Sequence, residues 1–504
     1  MKIKNQFLPS ARQAALGVMA VSGLLAALPV SAKNSVRQIG DVFVIAMENH
    51  NFTQPSTQTS PQPILGNPAA PYLNSLITPG NPNAARVSYA TAYYNAGTGV
   101  HPSEPNYVWA DAGSDFGAHT DADPKAANGN TFYDSSPLLM SQLTANGSTV
   151  PFWHLNFTRH LTGQLNANGI LWKNYQEDIE LSSSPTVSAS GTNGPVNPYN
   201  GSRQFNYAAK HNPMAFFSDT AFQNAYPLAQ LFDDLNINNV GRYNWITPDQ
   251  YNDAHTALNG GFTYNGVHYT GDAANIAQGD NFLAQVIPQI MASKAYQNNG
   301  VIIIWWDETE NGDDVTRTIP EIIISPLAKG NAYASSVPVS HSSDIKTWEE
   351  VLDLPFVNNP IPVNETNIFN GYNNVAIVND LSDLFQPDVI PAPASFSVTT
   401  GDFVQDKLTQ HLRQVVHIQN NGSTPASAPL FLVLDHLTPG VTLANADGVT
   451  GVLAPLGSPY VRIPVGEDGV LRPHETKTVT LDFIDPSNAA IISNVRVLPI
   501  TPAP

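Results

Sequence analysis

The chain has 504 residues, 42% hydrophobic and only 12% charged, with a net charge of −19 and no cysteine. This composition excludes a disordered chain, and the missing thiols exclude disulfides, thiolate metal sites and cysteine nucleophiles. The acidic balance, offset by no Lys/Arg cluster, argues against a lasting nucleic acid complex but leaves room for a small anionic substrate, because a bound divalent ion dominates the local field of a pocket.

In chain order, the N-terminus comes first. Lys2, Lys4 and Arg12 precede an apolar run from Ala14 to Val30, which closes on Val30-Ser31-Ala32. That layout predicts an export signal over 1–32 and a secreted or periplasmic protein. No later segment reaches the length of a membrane span. Asp41 to Met47 is a continuous apolar run entered from Asp41 and left through Glu48-Asn49-His50-Asn51. Gly300 to Trp306 is a second run, ending in Asp307-Glu308, and Glu321 to Ser325 a third. Buried runs ending in polar clusters predict an α/β fold with a central, mostly parallel sheet flanked by helices, and a site beyond the strands' carboxyl ends. Helices are expected over Phe282 to Asn298, interrupted at Pro288, and over Ser342 to Leu352. Leu181 to Asn206 reads as a long loop. The catalytic domain is expected over 33–386 and a linker over 387–394. Short alternating segments over 395–504 predict a small immunoglobulin-like β-sandwich.

Four groups carry chemistry. Glu48-Asn49 offers two hard oxygen donors, and could equally cap a strand. Ser103 lies between Pro102 and Pro105, with Asn106 placed to open a helix; a serine hydroxyl needs a base or a metal to become a nucleophile. Asp307-Glu308 is costly to bury unless paired or metal-bound. His211, His255 and His341 have polar neighbours suited to metal binding or proton transfer. His119, His154 and His160 receive no role, and Lys173 is either a phosphate contact or a surface lysine.

The order of these pieces is more telling than any one. Met47-Glu48-Asn49-His50-Asn51-Phe52, Ser103-Glu104-Pro105-Asn106-Tyr107, Trp172-Lys173-Asn174-Tyr175, Lys210-His211-Asn212-Pro213, Asn252-Asp253-Ala254-His255, Trp306-Asp307-Glu308 and His341-Ser342-Ser343 follow one another from about Val42 to Leu354. This series resembles the bacterial phosphoesterase family of metal-dependent acid phosphatases and phospholipases C, within the alkaline phosphatase superfamily. The resemblance implies an alkaline-phosphatase-like fold. It implies one divalent metal ion (Ca, Mg, Mn, Fe or Zn) held by Glu48, Asn49, Ser103, Asp307 and Glu308. It implies Ser103 as nucleophile, with His211, His255 and His341 catalytic and Asn106, Lys173 and Asp253 contacting substrate. The expected activity is hydrolysis of phosphate monoesters through a phosphoserine intermediate, with a phospholipase C as the alternative. The expected partner is a small phosphoester or phospholipid. A sulfatase is disfavoured, because Tyr107 stands where that signature has arginine. A non-catalytic surface- or glycan-binding protein is the alternative of another class.

Overall fold

The computed structural model describes residues 39–116, 119–124, 160–217, 219–357, 375, 378–387, 389–390, 396–422, 425–450, 457–466, 469–486 and 490–498. The expected export signal, most of the expected linker and His154 lie outside the described residues.

An eight-stranded sheet forms the centre of the larger region. Its strands are β1 (Val42–Met47), β2 (Val87–Ala90), β3 (Trp172–Gln176), β4 (Ala225–Pro227), β5 (Tyr243–Thr247), β6 (Val301–Trp306), β7 (Glu321–Ile324) and β8 (Tyr333–Ser335). They lie in the order β8-β2-β7-β6-β1-β5-β3-β4. Only β7 runs against its neighbours β6 and β2, so the sheet is mixed and mostly parallel. β1 and β6 are central and buried at every position. Burial on both faces is why they read as unbroken apolar runs.

The flanking helices are α1 (Pro71–Leu76), α2 (Ser103–Ala112), α3 (Leu161–Ala167), α4 (Ala229–Ile237), α5 (Asp272–Ala292), α6 (Lys294–Gln297) and α7 (His341–Leu352). Pro288 does not interrupt α5, which runs through it to Ala292. The apolar stripe of Phe282, Leu283, Val286, Ile287 and Ile290 is buried against the core, and that burial outweighs one lost helical hydrogen bond. The loop expected over Leu181 to Asn206 contains a short strand, Ala189–Gly191, paired with Phe205–Tyr207.

Registry places the site. Met47 of β1 pairs with Trp306 of β6. Glu48-Asn49 and Asp307-Glu308 therefore leave adjacent parallel strands at the same level. The chain leaving β5, beside β1, carries Asp253 and His255.

The C-terminal region forms two four-stranded antiparallel sheets. One joins Phe396–Gln405, Leu412–Asn420, Thr476–Ile484 and Thr442–Leu443; the other joins Gly448–Val449, Pro459–Arg462, Phe431–Asp435 and Asn494–Leu498. Val416, Ile418 and Phe483 of the first share a core with Leu432, Leu434 and Val461 of the second. Two antiparallel sheets around one core are consistent with a β-sandwich.

Candidate active site

Ser103 is the first residue of α2, preceded by Pro102 in extended conformation. Its side chain is buried, with 2% of the residue exposed. The hydroxyl oxygen lies 3.0 Å from Glu48 Oε2, 3.3 Å from Glu308 Oε1 and 3.5 Å from Asn49 Oδ1. Asn49 has a φ of 53°, a left-handed conformation that asparagine tolerates better than most residues. The turn lets its N–H donate to Asp307 Oδ1 at 2.9 Å while its side chain faces Ser103. The five expected ligands thus share one centre, Asp307 through the Asn49 backbone.

A second group adjoins the first through Glu48. His211 Nε2 lies 3.3 Å from Glu48 Oε1, and His211 Nδ1 lies 3.6 Å from Asp253 Oδ2. One ligand atom from each of Glu48, His211 and Asp253 can be chosen so that all lie within 4.8 Å of one another, a group that could hold a metal ion. Asp253 is positioned by its neighbours: its carbonyl accepts the Glu48 N–H at 2.9 Å, and its Oδ1 accepts the His255 N–H at 2.8 Å. Between them Ala254 sits at a φ of 79°, an uncommon conformation for alanine and a local strain beside the site. Asp253 is therefore part of the group that could hold a metal ion, where the sequence suggested a substrate contact.

The electrostatics ask for a cation. Glu48 is pushed well above the usual carboxylate range by burial and by the Asp307 and Asp253 charges. Burial likewise raises Asp253 and Asp307, and raises Glu308 to about 8. Glu48 Oε1, Asp253 Oδ2, Asp307 Oδ2 and His211 Nε2 are buried and complete no hydrogen bond among the described residues. Unpaired carboxylate oxygens beside an imidazole form a donor set that fits a divalent ion, and burying them without one is costly. Burial and then the nearby Lys210 charge hold His211 well below its usual range, the neutral form a ligand requires. Tyr107 stacks on the His211 ring at 4.8 Å and fixes its plane.

The other expected residues fall in different places. His255 borders the group, its ring 6.1 Å from that of His211. Asn106 donates to the Val100 carbonyl at 3.0 Å, bracing the loop before Ser103. His341 is not aimed at the Ser103 hydroxyl. Its Nε2 meets the Asp307 carbonyl at 2.6 Å and its Nδ1 lies 3.3 Å from the Tyr93 hydroxyl, so it backs the Asp307 main chain. Lys173 is a clear correction. It pairs in registry with Asn244, the level of Phe43 on β1, five residues short of Glu48 and ~16 Å down the sheet. Its ammonium is held 2.7 Å from Asp234 and over the Tyr226 ring. It is a structural ion pair and not a phosphate contact.

Three residues near the site had no role in the sequence reading. His101 pairs with Glu308 and, at 3.0 Å, with Asp313. Lys210 lies 2.6 Å from Asp121. Lys210 and His101 were visible only as neighbours of His211 and Ser103; nothing in the sequence around Asp121 marks it.

A model of the Phosphoesterase family matches residues 83–355, more than half of the chain. The chain belongs to the phosphoesterase family. Its chemistry is the hydrolysis of phosphoric esters, and the alternative of a non-catalytic binding protein is set aside. The matched segment holds Ser103, His211, Asp253, Asp307 and Glu308; Glu48 precedes it. Phosphatidylinositol-3-phosphatase of Mycobacterium tuberculosis is 24% identical over 348 residues, covering 67% of this chain and 88% of that protein. Phosphate-repressible acid phosphatase of Penicillium chrysogenum is 24% identical over 235 residues, 46% of this chain and 42% of its own length. Acid phosphatase of Aspergillus fumigatus is 25% identical over 225 residues, 42% of this chain and 36% of its own. The chain thus spans less than half of each fungal relative. Among solved structures, a protein in the alkaline phosphatase superfamily from Vibrio parahaemolyticus is 10% identical with a TM-score of 0.37, covering 76% of this chain and 77% of that one.

Proposed function

We propose that this protein is an exported, metal-dependent phosphatase that hydrolyses phosphate monoesters through a phosphoserine on Ser103. The observation that carries the reading is the convergence of Glu48, Asn49 and Glu308 on the Ser103 hydroxyl within 3.5 Å. Glu48, Asn49, Ser103, Asp307 and Glu308, with His211 and Asp253 adjoining, would hold the ion, which supplies charge that lowers the pKa of the hydroxyl and polarises a phosphoryl oxygen. Oxygen donors suit Ca, Mg or Mn, and the His211 imidazole adds Zn or Fe.

The Ser103 oxygen attacks phosphorus, its proton passing to a neighbouring carboxylate. The ester P–O bond breaks and the alcohol leaves. Burial and then the Lys210 charge lower His255 to about 4, so it starts neutral; at the edge of the group it takes up the proton that Ser103 released to the carboxylate and passes it to the leaving oxygen. Water then cleaves the phosphoserine, releasing phosphate and restoring the hydroxyl. The three named relatives carry phosphatase names, which favours a monoesterase over a phospholipase C. Export rests on residues 1–32, and N-terminal sequencing of the mature protein tests it.

The functional test compares p-nitrophenyl phosphate with p-nitrophenylphosphorylcholine on metal-analysed wild type and Ser103→Ala. Turnover of the first alone, lost in the variant, is expected. Turnover of the second alone contradicts the monoesterase reading. His255→Gln should slow phenyl phosphate more than p-nitrophenyl phosphate, because the poorer leaving group depends more on a proton donor. Equal slowing contradicts that role.

A further inference from the structure

One carboxylate beside the nucleophile occupies an unusual position. Asp121 Oδ1 accepts the backbone N–H of Glu104 at 3.3 Å, and Asp121 Oδ2 lies 2.6 Å from Lys210 Nζ. Glu104 follows Ser103 directly, at the N-terminal end of the ten-residue helix α2. Amides of a helix's first turn are open to acceptors from outside the helix, and that of Glu104 donates to Asp121. We propose that Lys210, with the Glu104 N–H, binds the phosphoryl oxygens of the substrate, and that Asp121 holds these two donors while substrate is absent. The inference rests on the phosphoesterase reading of Ser103.

Four observations carry it. A carboxylate is planar, with two oxygens spaced nearly as two oxygens of a phosphoryl group are. A bridge across two donors is therefore a shape a phosphoryl group can take over. The donors differ from a surface salt bridge in their surroundings: the Lys210 side chain is 14% exposed, whereas that of Asp121 is 38% exposed. The cation is fixed in the wall and the carboxylate stands at the solvent side. The pocket also needs a positive charge for an anionic ligand, because Glu48, Asp253, Asp307 and Glu308 crowd it with buried acids. Lys210 is close enough for its charge to act on Glu48, Asp253 and Asp307. Finally, the buried Glu48 Oε1 and His211 Nε2, 3.3 Å apart, lack hydrogen-bond partners among the described residues, and the other oxygen of Glu48 accepts from the Ser103 hydroxyl. The inner side of the pocket is thus short of the cation its carboxylates call for, while its outer donors are held by the chain itself. A phosphoryl group arriving at Ser103 must meet the Glu104 N–H and its neighbour Lys210, displacing Asp121. Asp121 then acts as an internal competitor that favours a dianionic monoester, which gains more from Lys210 than a monoanionic diester does.

The test measures kcat, KM and the inhibition constant of inorganic phosphate for wild type, Asp121→Asn, Lys210→Met and the double variant, with metal content and melting temperature recorded for each. Asp121→Asn should lower the phosphate inhibition constant and KM by several-fold. Lys210→Met should raise the phosphate constant by about 10- to 100-fold, the range of a lost hydrogen bond to a charged group, with metal content unchanged. The gain from Asp121→Asn should vanish in the Lys210→Met background. If Asp121→Asn leaves phosphate binding unchanged or weaker, or Lys210→Met binds phosphate as wild type does, the proposal is overturned. If wild type turns over no phosphoester, the underlying reading fails, and calorimetric titration of the same proteins with inorganic phosphate still decides the subsite.

Discussion

The two ends of helix α2 bury the same chemistry and use it in opposite ways. At its C-terminal end, Asp111 accepts the Thr162 N–H at 2.9 Å, the Thr162 hydroxyl at 2.7 Å and His160 Nδ1 at 2.8 Å. His160 reaches Asp219 at 3.0 Å through Nε2 and stacks on Phe217 at 4.0 Å. Burial works against charge on this imidazole, but Asp111 and Asp219 outweigh it and its pKa is raised to about 9. Every side-chain polar atom of Asp111, Thr162 and His160 has a hydrogen-bond partner. At the N-terminal end, around Ser103, acids and an imidazole are buried just as deeply, yet Glu48 Oε1, Asp253 Oδ2, Asp307 Oδ2 and His211 Nε2 are left incomplete. Burial and residue type do not separate the two ends. A concentration of unfinished hydrogen bonds does: buried polar groups are normally satisfied, and here the orphaned atoms fall on three acids and an imidazole grouped about Glu48.

That contrast can be broken in several ways. Ser103→Ala should produce the largest effect, a fall in kcat/KM of at least roughly a thousandfold with unchanged melting; steady-state kinetics and circular dichroism check it. His160→Ala should do the reverse. It strands the buried Asp111 and should lower stability by about 3–5 kcal/mol in urea unfolding, while the folded fraction keeps its kcat. A large loss of kcat there would erase the contrast. The pH dependence sharpens it further. The folded pKa of His160 is raised above its usual 6.5, so its stabilisation is complete below 6.5 and lost as pH rises towards about 9. Wild type should therefore lose stability relative to His160→Gln across that window, in melting curves taken at each pH. The smallest effect is expected from Lys173→Met, which should leave KM for p-nitrophenyl phosphate unchanged and cost only stability.

How far the sequence went follows from the same physics. β1 and β6 were legible because strands buried on both faces are written as unbroken apolar runs, and their terminal acids, Glu48 and Asp307, came with them. Their pairing level, Met47 against Trp306, is a three-dimensional fact with no local signature. Lys173 misled because a lysine in a short motif does not say which end of the sheet its strand position occupies. His341 was recognisable as special, but only the geometry shows both ring nitrogens committed to Tyr93 and the Asp307 carbonyl. Asp253 was seen as polar and near a histidine; the left-handed Ala254 that turns it toward His211 could not be read from an alanine. Asp121 carries no signal at all, since an aspartate in a polar loop is ordinary until the Glu104 N–H and Lys210 are found beside it.

The central claim is that Ser103 is phosphorylated during turnover. Acid-quenched reaction of the metal-loaded protein with p-nitrophenyl phosphate, followed by peptide mass analysis, measures this directly. A phosphoryl group on the peptide containing Ser103, absent from Ser103→Ala, is the predicted result. Undiminished turnover by Ser103→Ala, or a phosphoryl group on a different residue, would contradict it.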